Sequence, residues 1–465
     1  MEVFNAYNIL LSPTNILSTL LFLTIVIAWT FFKSSSLADK RDIVLFRQNV
    51  FYKLFFSYVF GMFYLFFVEQ GGDTFSYWTS SGAIKKLLFH NFDNFREVMA
   101  NPPTMERLYG LFNYHTGYPY RFIYLEEESL FIAKILAFFR LITFDSYFAC
   151  TALFSFIAAN ATWKIYTITS QLGIFNRRLL PIFVLFLPSV AFWSSGVSKD
   201  TVVFVSILFI IYYLYRVLKT PGSLFSKIKY WWWLLFFTAI IYNTRPFILY
   251  AMFIPLILMY STSLINKIQS FAVLRLLIKS VIYAGIAGAF VYVIAYFSAV
   301  DLLNSSDALS DAMIVQQDFE QNTSVYGGDD GKRYSLGDIE YTPVGILKVL
   351  PASIIAGIYR PFIWEALRPS FIFNGIESIF FIAMTAWFFI NKFRFRLQVI
   401  QSNEILMFAV GFVLVIAFMA GFTSIIFGVL VRIRAPLLPF LGLLLSIDYK
   451  ACLSLSGKAN HSIDT

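Results

Sequence analysis

Long apolar runs recur along the chain, each closed by a short polar or basic segment. A helix needs about 20 mostly apolar residues to cross a bilayer, with about 17–25 as the working range. Runs of that kind predict helices at 15–32, 50–68, 146–166, 179–195, 200–217, 231–244, 246–262, 278–299, 371–390, 404–422 and 434–448. Two further apolar stretches, 130–144 and 344–358, are shorter and broken by charge or proline. Whether these two cross sets the topology, and the basic residues decide it. Short loops rich in Lys and Arg stay on the cytoplasmic side. Segments 33–53, 164–178, 216–229, 263–279, 391–404 and 448–465 carry twenty Lys and Arg against five acids. They share one side only if both short stretches lie flat or re-enter. The chain therefore reads as an all-α polytopic integral membrane protein with about eleven transmembrane helices and two re-entrant or interfacial helices. The N-terminus is expected outside, the C-terminus in the cytoplasm, and the location is the inner (plasma) membrane.

The opposite face is built differently. Residues 69–130 form a first large extracytoplasmic loop with amphipathic pieces, and 301–343 form a second, with nine acids and two bases. The re-entrant segment extends over 344–370. With 1–465 read as a single transmembrane domain and terse cytoplasmic connections, the work is expected outside. No fixed-period repeat or heptad seam interrupts this pattern.

Composition agrees with the apolar runs. Apolar residues make up 58% of the 465 and charged residues 14%, with 55 Phe; soluble domains hold roughly 45–50% and about 25%. A cytosolic enzyme, a secreted disulfide scaffold and a disordered chain are excluded. The +9 net charge is spread between apolar spans, which does not suit nucleic-acid binding. Cys150 and Cys452 are too few for a disulfide framework, and His90, His115 and His461 form no ligand set with them. The first run is followed by Lys33, Lys40 and Arg41 and reads as an uncleaved first span.

Charge in or beside lipid is costly, so charged residues at span ends are the candidates for chemistry. GGDTFSYW (Gly71–Trp78) follows the second span, with Glu69 just before it. Its glycines permit a sharp turn, and Asp73 beside Tyr77 is a candidate general base; a helix stop with Asp73 as N-cap is the plainer reading. FWSSGVSKD (Phe192–Asp200) offers Lys199 and Asp200 as a local ion pair or as part of an anion site. Arg245 in NTRPF is a phosphate clamp or a snorkelling side chain. YRPFIWEALRPS (Tyr359–Ser370) sets Arg360 and Arg368, candidate ligands for a substrate phosphate or parts of an interfacial anchor belt, and Glu365 among prolines and Trp364, and Glu377 follows. In VRIRAPLLPFL (Val431–Leu441), Arg432 and Arg434 stand two apart, so they cannot share one helical face, and at least one is expected in a turn or extended segment. Glu126–Glu127–Glu128 and Asp329–Asp330 read as solvated acids, Trp231–Trp233 as an aromatic anchor, and Asn304 and Asn322 as chance glycosylation triplets.

An acid in the first large outer loop, together with the LPSVAFWSSGVSKD, YRPFIWEA and RIRAPLLPFL segments, resembles the GT-C integral membrane glycosyltransferases of bacterial cell envelopes. The likeness covers most of the chain in layout and about forty residues in motif. It implies a polyprenyl-phosphate-linked sugar donor and a glycan, lipid or protein acceptor on the extracytoplasmic face. It also implies Asp73 as base or metal-associated carboxylate, and Arg432 or Arg434 as late-helix donor-phosphate ligands. Mg or Mn is the candidate divalent cation. The chain departs from the family pattern in having a single Asp after two glycines and one extra N-terminal helix. The open alternatives are an O-antigen or exopolysaccharide polymerase or ligase, and a transporter or flippase for a lipid-linked substrate. A flippase is expected to show ionisable residues at mid-membrane.

Overall fold

A computed structural model describes residues 12–68, 71–267, 334–337, 343–366, 369–424 and 426–453. Within these residues the chain is helical, and an isolated bridge joins Phe175 to Ile447. The helices are α1 Pro13–Ser35, α2 Lys40–Phe67, α3 Gly72–His90, α4 Phe92–Ala100, α5 Met105–Leu111, α6 Arg121–Leu125, α7 Glu127–Ile142, α8 Tyr147–Ser170, α9 Leu179–Leu185, α10 Pro188–Trp193, α11 Lys199–Lys219, α12 Leu224–Thr244 and α13 Pro246–Lys267. There follow α14 Pro343–Tyr359, α15 Pro369–Ile390, α16 Phe393–Ser402, α17 Glu404–Thr423, α18 Phe427–Arg434, a 3₁₀ turn Ala435–Leu437, and α19 Leu438–Leu445.

Among the described residues, eight helical segments are long and apolar enough to cross a membrane, so the protein is a polytopic membrane protein. They match eight of the expected spans. Three expected spans are not among them. Span 278–299 lies outside the described residues, as does most of the 301–343 loop. The run at 179–195 is two short helices broken at Pro188, and Leu187 caps the second. Helix α12 is long, but Trp231–Trp233 and its lysines lower its apolar character. The short stretches are helices of 16 residues (α7) and 17 residues (α14), shorter than any of the eight. Helix α2 begins ten residues earlier than the apolar run. Asp39 accepts from the Arg41 amide and caps it, so Lys53 lies inside a helix and not in a basic loop.

The chain packs as two compact units: 1–169 with 184–249, and 170–183 with 250–465. In the first unit, α3 and α7 share a core of Ile84, Leu87, Ile132 and Leu136. Arg140 ties them together. Its guanidinium lies 3.8 Å over the Trp78 ring, donates to the Trp78 carbonyl at 2.7 Å, and pairs with Asp145. Lys85 completes that cluster on Asp145.

The second unit is built on α14 against α17. Small residues four apart on each helix, Ser353 and Gly357 facing Ala417 and Gly421, let the backbones touch. A Cβ on Gly357 would collide with the Ala417 carbonyl, and one on Gly421 with the Ser353 carbonyl. Backbone atoms cannot move aside as side chains can. Gly421→Val is therefore expected to lower the thermal midpoint sharply, since overpacking costs about 1–3 kcal/mol or more. Gly428→Ala, where a Cβ meets open space, is expected to leave it nearly unchanged. Thermal unfolding of the detergent-solubilised protein checks both.

Candidate functional site

Charged residues from four separate stretches meet in the first unit. The chain leaves α2 through Gly71 (φ 72) and Gly72 (φ 56), conformations that favour glycine. Gly71, not Asp73, is the N-cap of α3, and Asp73 occupies the first turn, exposed. One turn on, Tyr77 is buried, and its hydroxyl lies 3.4 Å from Ser129 Oγ at the start of α7. Burial raises the phenol's pKa above the ordinary value. The Ser129 hydrogen bond opposes that shift, and the charges of Asp73, Glu126 and Asp200 add to it. The charges of these three carboxylates therefore act on one phenol.

Helix α11 supplies one member of each ion pair. Ser198 caps it through the Thr201 amide at 3.1 Å, and Lys199 and Asp200 follow. They do not pair with each other as a local cap. Lys199 reaches across to Glu126 and, at 3.5 Å, to Glu128. Asp200 takes Arg245 at 2.7 Å, at the junction of α12 and α13. The acidic run 126–128 is thus not simply solvated: two of its members fix Lys199, and Ser129 donates to Glu126 at 2.6 Å. Partial burial pushes the Glu126 carboxyl up. Hydrogen bonds from Lys199 and Ser129, then the Lys199 and Arg245 charges, outweigh it and hold the group below its ordinary range.

Sequence reasoning also missed Lys53. It lies in the middle of α2, about 20 Å from either end at 1.5 Å per residue. It is 1% exposed and donates to Ser194 Oγ at 2.5 Å, beneath the hairpin that leads to Lys199. Phe60, two turns along the same face, packs on Gly196 of that hairpin. A lone Lys flanked by FYKLFF was the available signal, hidden by counting it with the basic loop. The ionisable residues therefore do not all crowd one end.

The second unit separates its arginines. Arg432 and Arg434 are both on α18, so neither is in a turn; they point apart, Arg432 half-buried and Arg434 1% exposed. Arg434 is not presented to a ligand. Its Nη1 donates to the Ile358 and Arg360 carbonyls at 3.3 and 2.5 Å and lies 3.4 Å from Ser378 Oγ. Glu377, buried in α15, is the carboxylate whose charge reaches it. Arg360 is half-exposed and pairs with Glu365 at 3.5 Å. Glu69 and Arg368 lie outside the described residues, as do Asn304, Asn322, Asp329, Asp330 and His461. Cys150 and Cys452 are buried free thiols, and among the described residues no three His, Cys, Asp or Glu form a ready metal cage.

Fold and composition define a polytopic α-helical membrane protein. Compared with known proteins, the chain matches no family model, no curated protein and no solved structure.

The electrostatics of Glu126 give a pH prediction. Its ordinary value is 4.5, and it titrates lower when folded. Its stabilisation is therefore complete above the ordinary value and is lost as pH falls through the depressed one. Glu126→Gln is expected to flatten the acid limb of the thermal midpoint between about pH 6 and pH 3. A limb as steep as the wild type's contradicts the pairing.

Proposed function

We propose that the protein is a membrane glycosyltransferase that moves a sugar from a polyprenyl-phosphate-linked donor to an acceptor hydroxyl on the extracytoplasmic face. The observation that carries this reading is the meeting of Asp73, Tyr77, Glu126, Lys199, Asp200 and Arg245 from four helix ends of the first unit. On the topology expected from the loop charges, that end faces outside.

The chemistry needs a base, a cation for the leaving phosphate and access from lipid. Asp73 is exposed at the start of α3 and takes the acceptor proton. The acceptor oxygen then attacks the anomeric carbon, and the bond to the donor phosphate breaks. Lys199 and Arg245 receive the developing phosphate charge, each exchanging a carboxylate partner (Glu126 or Asp200) for phosphate oxygen. A positioned donor of this kind is worth about 3 kcal/mol in a barrier. Tyr77, buried and protonated, is a supporting hydrogen-bond group. A polymerase or ligase using the same donor differs only in its acceptor. Divalent Mg or Mn stays a candidate partner for the Asp73 carboxylate.

One observation favours a second reading. Lys53 is buried at mid-helix under the broken α9–α10 segment, a placement that suits transporters that bind substrate between interrupted helices. The two readings separate in one assay.

Proteoliposomes are supplied with radiolabelled polyprenyl-phosphate and polyprenyl-diphosphate sugars. The transferase reading predicts sugar release or transfer that Asp73→Asn reduces by about a hundredfold or more, with the protein's membrane level unchanged. Lys199→Met and Arg245→Gln are expected to lower the rate with smaller changes in expression. Normal turnover in Asp73→Asn removes Asp73 as the base. Movement of the labelled lipid between leaflets without sugar transfer favours the transporter.

A further inference from the structure

The arginines of the second unit differ in what their guanidinium groups have left to offer. Arg434 donates to backbone carbonyls, and Arg396 donates to the Phe388 carbonyl at 3.3 Å and lies 4.0 Å over Trp387. Arg360 is spent differently. Its guanidinium carbon sits 4.8 Å over the Tyr334 ring and 5.9 Å from that of Phe362. Its Nε faces Glu365 at 3.5 Å, and Glu365 is itself fixed by the Phe362 amide at 2.9 Å. Its backbone carbonyl is held by Arg434. Among the described residues, neither of its terminal NH₂ groups makes a hydrogen bond. The fork is therefore aimed, anchored and unused.

Tyr334 does most of the aiming. It is 7% exposed, its hydroxyl donates to the Gly421 carbonyl at 2.8 Å, and its ring stacks on Phe427 at 5.6 Å. A residue of the second large loop thus supplies the face on which the arginine rests. The flank beside it is apolar and open: Trp364 stacks on Phe362 at 4.9 Å and is 69% exposed.

We propose that Arg360 is a preorganised receptor for a phosphate ester, and that Tyr334 is the residue that positions it. A planar fork with both NH₂ groups free binds two phosphate oxygens at once, and stacking keeps it from turning away. The exposed Trp364 gives a hydrocarbon tail somewhere to lie, so the same head can come from a lipid or from solution. The proposal does not need the transferase reading, because binding is read without turnover.

The test is calorimetric titration of the full chain in maltoside micelles, which carry no phosphate, with dodecyl phosphate and separately with inorganic phosphate. Arg360→Lys is expected to weaken dodecyl phosphate binding about tenfold or more, because a lysine cannot reproduce the fork. Tyr334→Leu should weaken it severalfold, whereas Tyr334→Phe keeps the ring and stays close to wild type. Arg394→Lys serves as the remote control and should bind as wild type. Tighter binding of dodecyl phosphate than of inorganic phosphate identifies a lipid source, and equal or weaker binding identifies a soluble one. Wild-type affinity in Arg360→Lys overturns the receptor. Unchanged affinity in Tyr334→Leu overturns the positioning role.

Discussion

The first unit depends on the neutralisation of one charged helix start. Lys199 and Asp200 open α11 with opposite charges on adjacent residues, and neither partner is local. Lys199 draws in the start of α7 through Glu126 and Glu128, and Asp200 draws in the α12–α13 junction through Arg245. Charge beside lipid is costly without a partner, so these pairs fix which helix ends meet. Tyr77 and Asp73 then fall beside the same charges because Ser129 is one residue from Glu128 and hydrogen-bonds the Tyr77 phenol. On the proposed reading, a ligand phosphate would compete for cations that are already paired and therefore already oriented.

Lys53 supports the same hairpin from within. Its ammonium meets Ser194 at the end of α10, where the helix dipole leaves partial negative charge. Tyr52, one residue earlier, donates to the Phe186 carbonyl at 3.0 Å, a group left open by the break between α9 and α10. In lipid, backbone groups freed by such a break must find a partner inside the protein. Helix α2 therefore supplies what the interrupted helix lacks, and the hairpin that carries Lys199 stays in place.

The apolar runs made most of the fold legible, because a bilayer imposes a length and eight helical segments show it. The breaks were harder. The run 179–195 is as apolar as a span, and nothing in its pattern marks where it divides except Pro188. For the site, motif reading found Asp73, Tyr77, Lys199, Asp200 and Arg245, and the structure brings these five together. It could not pair them, since their partners stand 45 to 73 residues away along the chain (Asp200 with Arg245, Lys199 with Glu126). Glu126 and Glu128 looked like solvent-facing acids for the same reason. Arg434 was legible as unusual but not as a group that ties backbone carbonyls. Two arginines spaced by two gave the right geometry, on opposite faces of one helix, and the wrong conformation for one of them.

The central claim is that Lys199 and Arg245 exchange their carboxylate partners for a lipid phosphate beside Asp73. An experimental structure with a bound non-hydrolysable polyprenyl-phosphate sugar tests it most directly. The account predicts phosphate oxygens at hydrogen-bond distance from Lys199 or Arg245, with Glu126 or Asp200 released and the sugar's anomeric carbon facing Asp73. A donor bound elsewhere, with the Lys199–Glu126 and Arg245–Asp200 pairs intact, would contradict it.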